Sequence, residues 1–337
     1  MLPFRFLYSR ALRVDSVAMA ILIGTDEAGY GPNLGPLVIS TTTWQVPDRL
    51  IEADMYKVLG AAVQTTANTS RPGLPIGDSK TLYKPGGGLA TLEQSVLATV
   101  ATLGITVHTW HDVWQTFAPQ SVRWRDRLPW YADFRAAAPV DTTPSQVTEC
   151  GARFLSGLEQ SKIRLLNMKS VAIFPERFNA LIDRFDTKGG ALSYETLKLV
   201  RQQLQAIGDE HIVVLCDKHG GRNRYAPVLQ TVFPEVLPTI VRESRQQSVY
   251  RWGPATRRIE MRFTAKGESA LCTALASMIS KYLRELAMLG FNSFWSQHVS
   301  GIRPTAGYPT DAKRFKKEIA AAQERLQIDD RILWRNR

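Results

Sequence analysis

"GTDEAGYGPNLGP", residues 24–36, puts two acids side by side where an apolar run stops. The run before it, VAMAILI over 17–23, has the length and composition of a buried strand. The run after it, LVISTTTW over 37–44, is rich in β-branched residues and predicts a second strand. Asp26 and Glu27 therefore stand at a strand end, ahead of a turn rich in Gly and Pro.

Outward from that turn, strands and helices are mixed. PDRLIEADMYKVLGAAVQTT predicts a helix from about 49 to 63, and LATLEQSVLATVATLG a helix stopped by Gly104. ITVHTW, 105–110, predicts a strand, and the chain from about 111 to 162, with Pro119, Pro129, Pro139 and Pro144, reads as irregular. KSVAIFPERFNALIDRF gives a strand and a helix, and SYETLKLVRQQLQAI an amphipathic helix. HIVVLCDKHGG is a strand that ends in Asp217. Strands follow from 242 to 263, then a long helix from about 269 to 289 and a last one from 311 to about 326. This order predicts an α/β fold built on a mixed sheet flanked by helices. Residues 1–16 read as an N-terminal extension without the apolar core of a signal peptide.

Lys and Arg outnumber Asp and Glu by 42 to 31, a net charge of +11 that favours an acidic partner, most simply nucleic acid. No apolar run reaches the length of a membrane span. Cys150, Cys216 and Cys272 are far apart and odd in number, which argues against a disulfide framework or zinc site and fits the cytoplasm.

Asp217 repeats the pattern of Asp26 and Glu27: an acid ending an apolar strand, followed by glycines. Ligands of open α/β sheets bind at such strand ends, although an Asp there also serves to cap a turn. A fourth acid, Glu285, falls inside the helical stripe Leu271, Leu275, Met278, Tyr282 and Leu289. A carboxylate on a buried face needs an ion pair or a metal. Four such acids suit Mg²⁺ or Mn²⁺, and a two-metal cluster is a recurring device for phosphodiester hydrolysis.

Five motifs carry a resemblance. GTDEAGYGPNLGPLVIS, GDSKTL (77–82), CDKHGGRNR (216–224), KGESALCTALASMISKYLRE (266–285) and AGYPTDAKRF (306–315) resemble, in order, the motifs of the ribonuclease HII family. The resemblance implies a ribonuclease H-like mixed sheet over 17–337, with insertions near 107–165 and 225–262. It implies a metal-dependent endonuclease that cuts RNA in RNA–DNA hybrids, or ribonucleotides embedded in duplex DNA, leaving 5′-phosphate and 3′-hydroxyl ends. A related DNA or structure-specific nuclease, or a nucleic-acid-binding module without catalysis, are the alternatives. Asp26, Glu27, Asp217 and Glu285 match the metal ligands, with Glu285 standing where the family has Asp. Gly29, Tyr30 and Gly31 match the loop that reads the ribose 2′-hydroxyl, with Tyr in place of Arg. Lys80 matches a phosphate-side lysine and Tyr308 a tyrosine packed on the sugar. The expected state is a monomer. The segment Trp110–Phe134 has no counterpart: its aromatics, interleaved with Arg123, Arg125 and Arg127, either stack on bases or pack as a lid on the core.

Overall fold

The apolar run ahead of Asp26 forms β1 (Met19–Ala28), and the β-branched run after the turn forms β2 (Leu37–Pro47). The computed structural model describes residues 18–67, 73–83 and 86–336, so the N-terminal extension lies outside the described residues. A two-stranded parallel ribbon, β3 (Val63–Gln64) and β4 (Leu74–Pro75), stands apart. The main sheet continues with β5 (Arg164–Ile173), β6 (His211–Asp217), β7 (Thr239–Glu243), β8 (Gln247–Trp252) and β9 (Ile259–Thr264). Its seven strands run in the order β5-β2-β1-β6-β9-β8-β7. The pairs β1–β2 and β2–β5 are antiparallel, whereas β1–β6 and β6–β9 are parallel. The result is the mixed α/β sheet flanked by helices that the sequence predicts.

β1 is buried on both faces, which is why it reads as a continuous apolar run rather than an alternating one. Ala20 and Leu22 join the core beneath the long helix Leu271–His298, with Leu275, Met278 and Ile279. Ile21 and Ile23 face the opposite layer, with Leu197 and Val200 of the helix Lys188–Gln205. Emptying one such position, as in Leu22→Ala, costs about 2–5 kcal/mol. None of the described helices is long and apolar enough to cross a membrane.

Three local expectations are corrected. The expected helix over 49–63 is broken into a 3₁₀ turn, the short helix Met55–Leu59 and a second 3₁₀ turn, because Asp54 caps a new start and Gly60 stops it. ITVHTW is not a strand, since Thr109 and Asp112 form a reciprocal capping box that starts the helix Trp110–Phe117. The stretch 111–162 is largely helical, in Trp110–Phe117, Pro119–Arg125, Pro129–Ala132 and Pro144–Gln160. Three of its prolines occupy the first turn of a helix, where the missing N–H costs nothing, so they start helices rather than break them.

Candidate active site

Parallel pairing of β1 with β6 ends at Thr25 opposite Cys216, so Asp26 and Asp217 emerge from neighbouring strands, about 4.8 Å apart in the sheet. Asp26 is buried, and Glu27 and Asp217 are half-buried. Burial raises the Asp26 carboxyl well above its ordinary range, and the charges of Glu27, Glu268 and Asp217 add to this while a hydrogen bond from Ser277 opposes it. Glu27 is pushed up to about 7, first by burial and then by Asp217. The Ser280 hydroxyl donates to the Asp26 carbonyl at 3.1 Å and fixes the strand end against the long helix.

The fourth acid at this place is Glu268, not Glu285. Lys266 adopts a left-handed conformation (φ 62°) and leads into the 3₁₀ turn Gly267–Ser269. The Gly267 amide donates to Asp217 Oδ1 at 2.9 Å. A Cβ at 267 would lie 3.1 Å from both the Asp217 Cα and its nitrogen, so glycine permits the turn to rest on the end of β6. Glu268 accepts from the Ser277 hydroxyl at 3.3 Å and faces Lys80 Nζ at 3.7 Å. Burial raises its carboxyl, with Lys80 opposing.

Glu285 has other partners. Its carboxylate accepts from the Tyr83 hydroxyl at 2.8 Å and pairs with Lys281, one turn back, at 2.6 Å. The stripe that made it a metal candidate ends early, because Leu289 is 40% exposed. The expected metal role of Glu285 therefore gives way to the ion pair that its helical spacing also allows. KGES carried the signal that was missed: an acid in the turn that feeds the long helix.

The other expected residues ring the same place. Lys80 lies in the short helix Ser79–Leu82, capped by Asp78, and its exposed ammonium acts on Glu268, Asp26 and Asp217. Gly29 holds φ 88°, and a Cβ there would come within 2.6 Å of the Arg284 side chain. The Tyr30 hydroxyl lies against Gly220, where a Cβ would come within 2.5 Å of it. A methyl at Gly31 would lie 3.8 Å from the Tyr308 ring, and Tyr308 is 53% exposed. The acids, the glycine loop, Lys80 and Tyr308 thus share one rim at the C-terminal ends of β1 and β6.

The donor set can be tested against a divalent cation. Among the described residues, no three His, Cys, Asp or Glu side chains form a ready-made cage. Yet Asp26 Oδ2 is buried with no hydrogen-bond partner, and burial, together with the charges of Asp217 and Glu268, raises the carboxyls of Asp26 and Glu27. Hard oxygen donors of this kind fit Mg²⁺ or Mn²⁺, and a cation there offsets the repulsion among them.

In the segment Trp110–Phe134 the lid alternative prevails. Trp110, Trp114, Trp130 and Tyr131 are buried in the main core, and Arg125 is buried against the Trp110 face, 4.1 Å from its centroid. Trp124 is half-buried, with Arg123 and Arg127 over its ring at 5.2 and 5.1 Å.

No protein-family model matches the chain, and no curated protein matches it. Among solved structures, the chain is similar to the ribonuclease H2 of Pyrococcus horikoshii OT3, at 14% identity over 93% of this chain and 92% of that one, with a TM-score of 0.43. It is similar to the RNase HII of Archaeoglobus fulgidus, solved in complex with PCNA, at 15% identity over 94% of each chain and a TM-score of 0.42. It is also similar to Bst-RNase HIII in complex with Mn²⁺, at 13% identity over 95% of this chain and 67% of that one, with a TM-score of 0.39.

Proposed function

We propose that the chain is a metal-dependent endonuclease of the ribonuclease HII type, acting on RNA–DNA hybrids or on ribonucleotides embedded in duplex DNA. The observation that carries this reading is the meeting of Asp26, Glu27, Asp217 and Glu268 at two strand ends, beside a glycine loop and an exposed tyrosine. In this reading those four acids hold Mg²⁺ or Mn²⁺, with Glu268 in the place first expected of Glu285. When bound, such ions activate water and stabilise the leaving oxygen in phosphodiester hydrolysis.

The chain's own groups do the rest. Lys80 offers a compact positive charge for the phosphate next to the scissile bond. The Gly29–Gly31 loop brings backbone close to a ribose, and the 2′-hydroxyl is the group that separates RNA from DNA. Tyr308 offers an exposed ring on which the neighbouring sugar packs. The net charge of +11 supplies affinity through phosphate contacts.

The test compares three matched duplexes: DNA, DNA with one ribonucleotide, and an RNA–DNA hybrid. The reading expects Mg²⁺- or Mn²⁺-dependent cleavage at ribonucleotides, with 5′-phosphate and 3′-hydroxyl ends. Equal cleavage of all-DNA duplex would move the chain to the DNA nucleases. Tight binding without cleavage under any divalent metal would make it a binding module.

A further inference from the structure

The last described residues cross the back of the glycine loop as a strap. Trp334 C=O accepts from Asn179 Nδ2 at 2.9 Å, and the Asn336 amide donates to Asn179 Oδ1 at 2.9 Å. Between them, the Arg335 amide donates to the Asn33 carbonyl at 2.9 Å, and Asn33 Nδ2 donates back to the Arg335 carbonyl at 2.9 Å. Asn179 and Asn33 thus hold the tail from two sides, one from the helix Pro175–Phe185 and one from the loop itself.

The side chain of Arg335 completes the contact. It is fully buried, with its guanidinium 3.9 Å from the centroid of the Phe178 ring. Nη1 donates to the Gly29 carbonyl at 2.6 Å and Nη2 to the Tyr30 carbonyl at 3.1 Å. Among the described residues it has no ion-pair partner. A buried guanidinium without a carboxylate is costly, and only the ring face and the two carbonyl dipoles offset that cost here. A planar fork that spans two successive carbonyls is a geometry that Lys cannot reproduce.

This contact orients the loop. In a trans peptide the C=O and the following N–H point in opposite directions. Holding the carbonyls of Gly29 and Tyr30 toward Arg335 therefore turns the amides of Tyr30 and Gly31 the other way. Among the described residues neither amide has a hydrogen-bond acceptor. Gly31 is also the residue beside the exposed ring of Tyr308.

We propose that Arg335 is a positioning residue that locks the Gly29–Gly31 loop with its amides presented to the substrate sugar, and so sets preference for ribose over deoxyribose. The proposal rests on the nuclease reading above, and the experiment separates the two. Amide hydrogen exchange over 29–33 and cleavage of the one-ribonucleotide and all-DNA duplexes are measured for wild type, Arg335→Met, Arg335→Lys and Arg331→Met. Arg331 is an exposed arginine of the same tail, paired with Asp329, and its variant serves as the control. Arg335→Met is expected to lose at least tenfold in loop protection and at least tenfold in ribonucleotide selectivity, mainly through kcat. Arg335→Lys falls between, and Arg331→Met matches wild type. If Arg335→Met does not fold, Asn179→Ala, which loosens the strap without leaving a buried charge, is expected to lose about threefold in both. Unchanged protection and selectivity in the folded variant would overturn the proposal. Reduced protection beside a wild type that cuts no duplex would overturn the nuclease reading, and the selectivity role with it, while leaving the loop anchor in place.

Discussion

Glu268 and Glu285 flank the first half of the long helix and meet opposite fates. Glu285 sits where helical geometry supplies a partner: Lys281 is one turn away, and Tyr83 closes the other side. Its charge is spent inside the protein. Glu268 sits in the turn before the helix, where Gly267 pulls the backbone onto β6 and delivers the carboxylate among Asp26, Glu27 and Asp217. There the exposed ammonium of Lys80 opposes the accumulated charge. A carboxylate satisfied by neighbours is structural, whereas carboxylates gathered at a strand end with raised pKa are the ones proposed to hold a cation.

The largest test of that contrast is catalytic. Asp26→Asn and Glu268→Gln are each expected to lower metal-dependent cleavage of a one-ribonucleotide duplex by at least about a hundredfold, as loss of one charge-stabilising group does elsewhere. Glu285→Gln is expected to keep cleavage within about threefold of wild type, since its carboxylate is held by Lys281 and Tyr83 rather than facing the strand-end acids. Equal losses in Glu268→Gln and Glu285→Gln would erase the distinction.

A smaller effect concerns the turn. Gly267→Ala adds a methyl where the nearest backbone atoms lie at 3.1 Å, so either the turn or the end of β6 must shift. Overpacking of this kind costs about 1–3 kcal/mol, read as a lower midpoint in a urea titration. Cleavage should fall further than stability predicts, because the shift moves Glu268 away from Asp217. Full activity in Gly267→Ala would show that the close approach does not place the acid.

The smallest effect is the pH dependence of the metal-free protein. Glu27 rises from the ordinary 4.5 to about 7 in the folded state, and Asp26 shifts in the same direction. Between those values the folded protein binds more protons than the unfolded chain. This contribution to stability is therefore fully present below about pH 4.5 and is lost as pH rises through about 7. In chelator, the Tm should fall by a few degrees from pH 5 to 8, and Glu27→Gln should remove most of that fall. A flat profile in wild type would mean that neither burial nor the neighbouring charges raise these carboxyls.

These contrasts show how far the residues could be read in advance. β1 and β6 were legible because strands buried on both faces are continuous apolar runs, and an acid at the end of each marks the sheet edge. The prolines at 119, 129 and 144 misled because a proline that starts a helix and one that breaks it look alike without their neighbours. Glu285 misled for a related reason: spacing identifies a face but not what covers it, and neither Tyr83 nor the exposure of Leu289 is visible in a periodicity. Glu268 required the fold of its own turn, in which a left-handed Lys266 and the tight contact of Gly267 aim the side chain. Arg335 lies some 300 residues from the loop that it holds, and nothing local in the tail indicates that contact.

In the proposed reading, Asp26, Glu27, Asp217 and Glu268 form one divalent-cation site from which Glu285 is excluded. Calorimetric titration of the chain with Mn²⁺, without nucleic acid, tests it directly in wild type, Glu268→Gln and Glu285→Gln. The account predicts measurable Mn²⁺ binding in wild type, at least tenfold weaker binding in Glu268→Gln, and binding indistinguishable from wild type in Glu285→Gln. Weakened binding in Glu285→Gln together with unchanged binding in Glu268→Gln would contradict it.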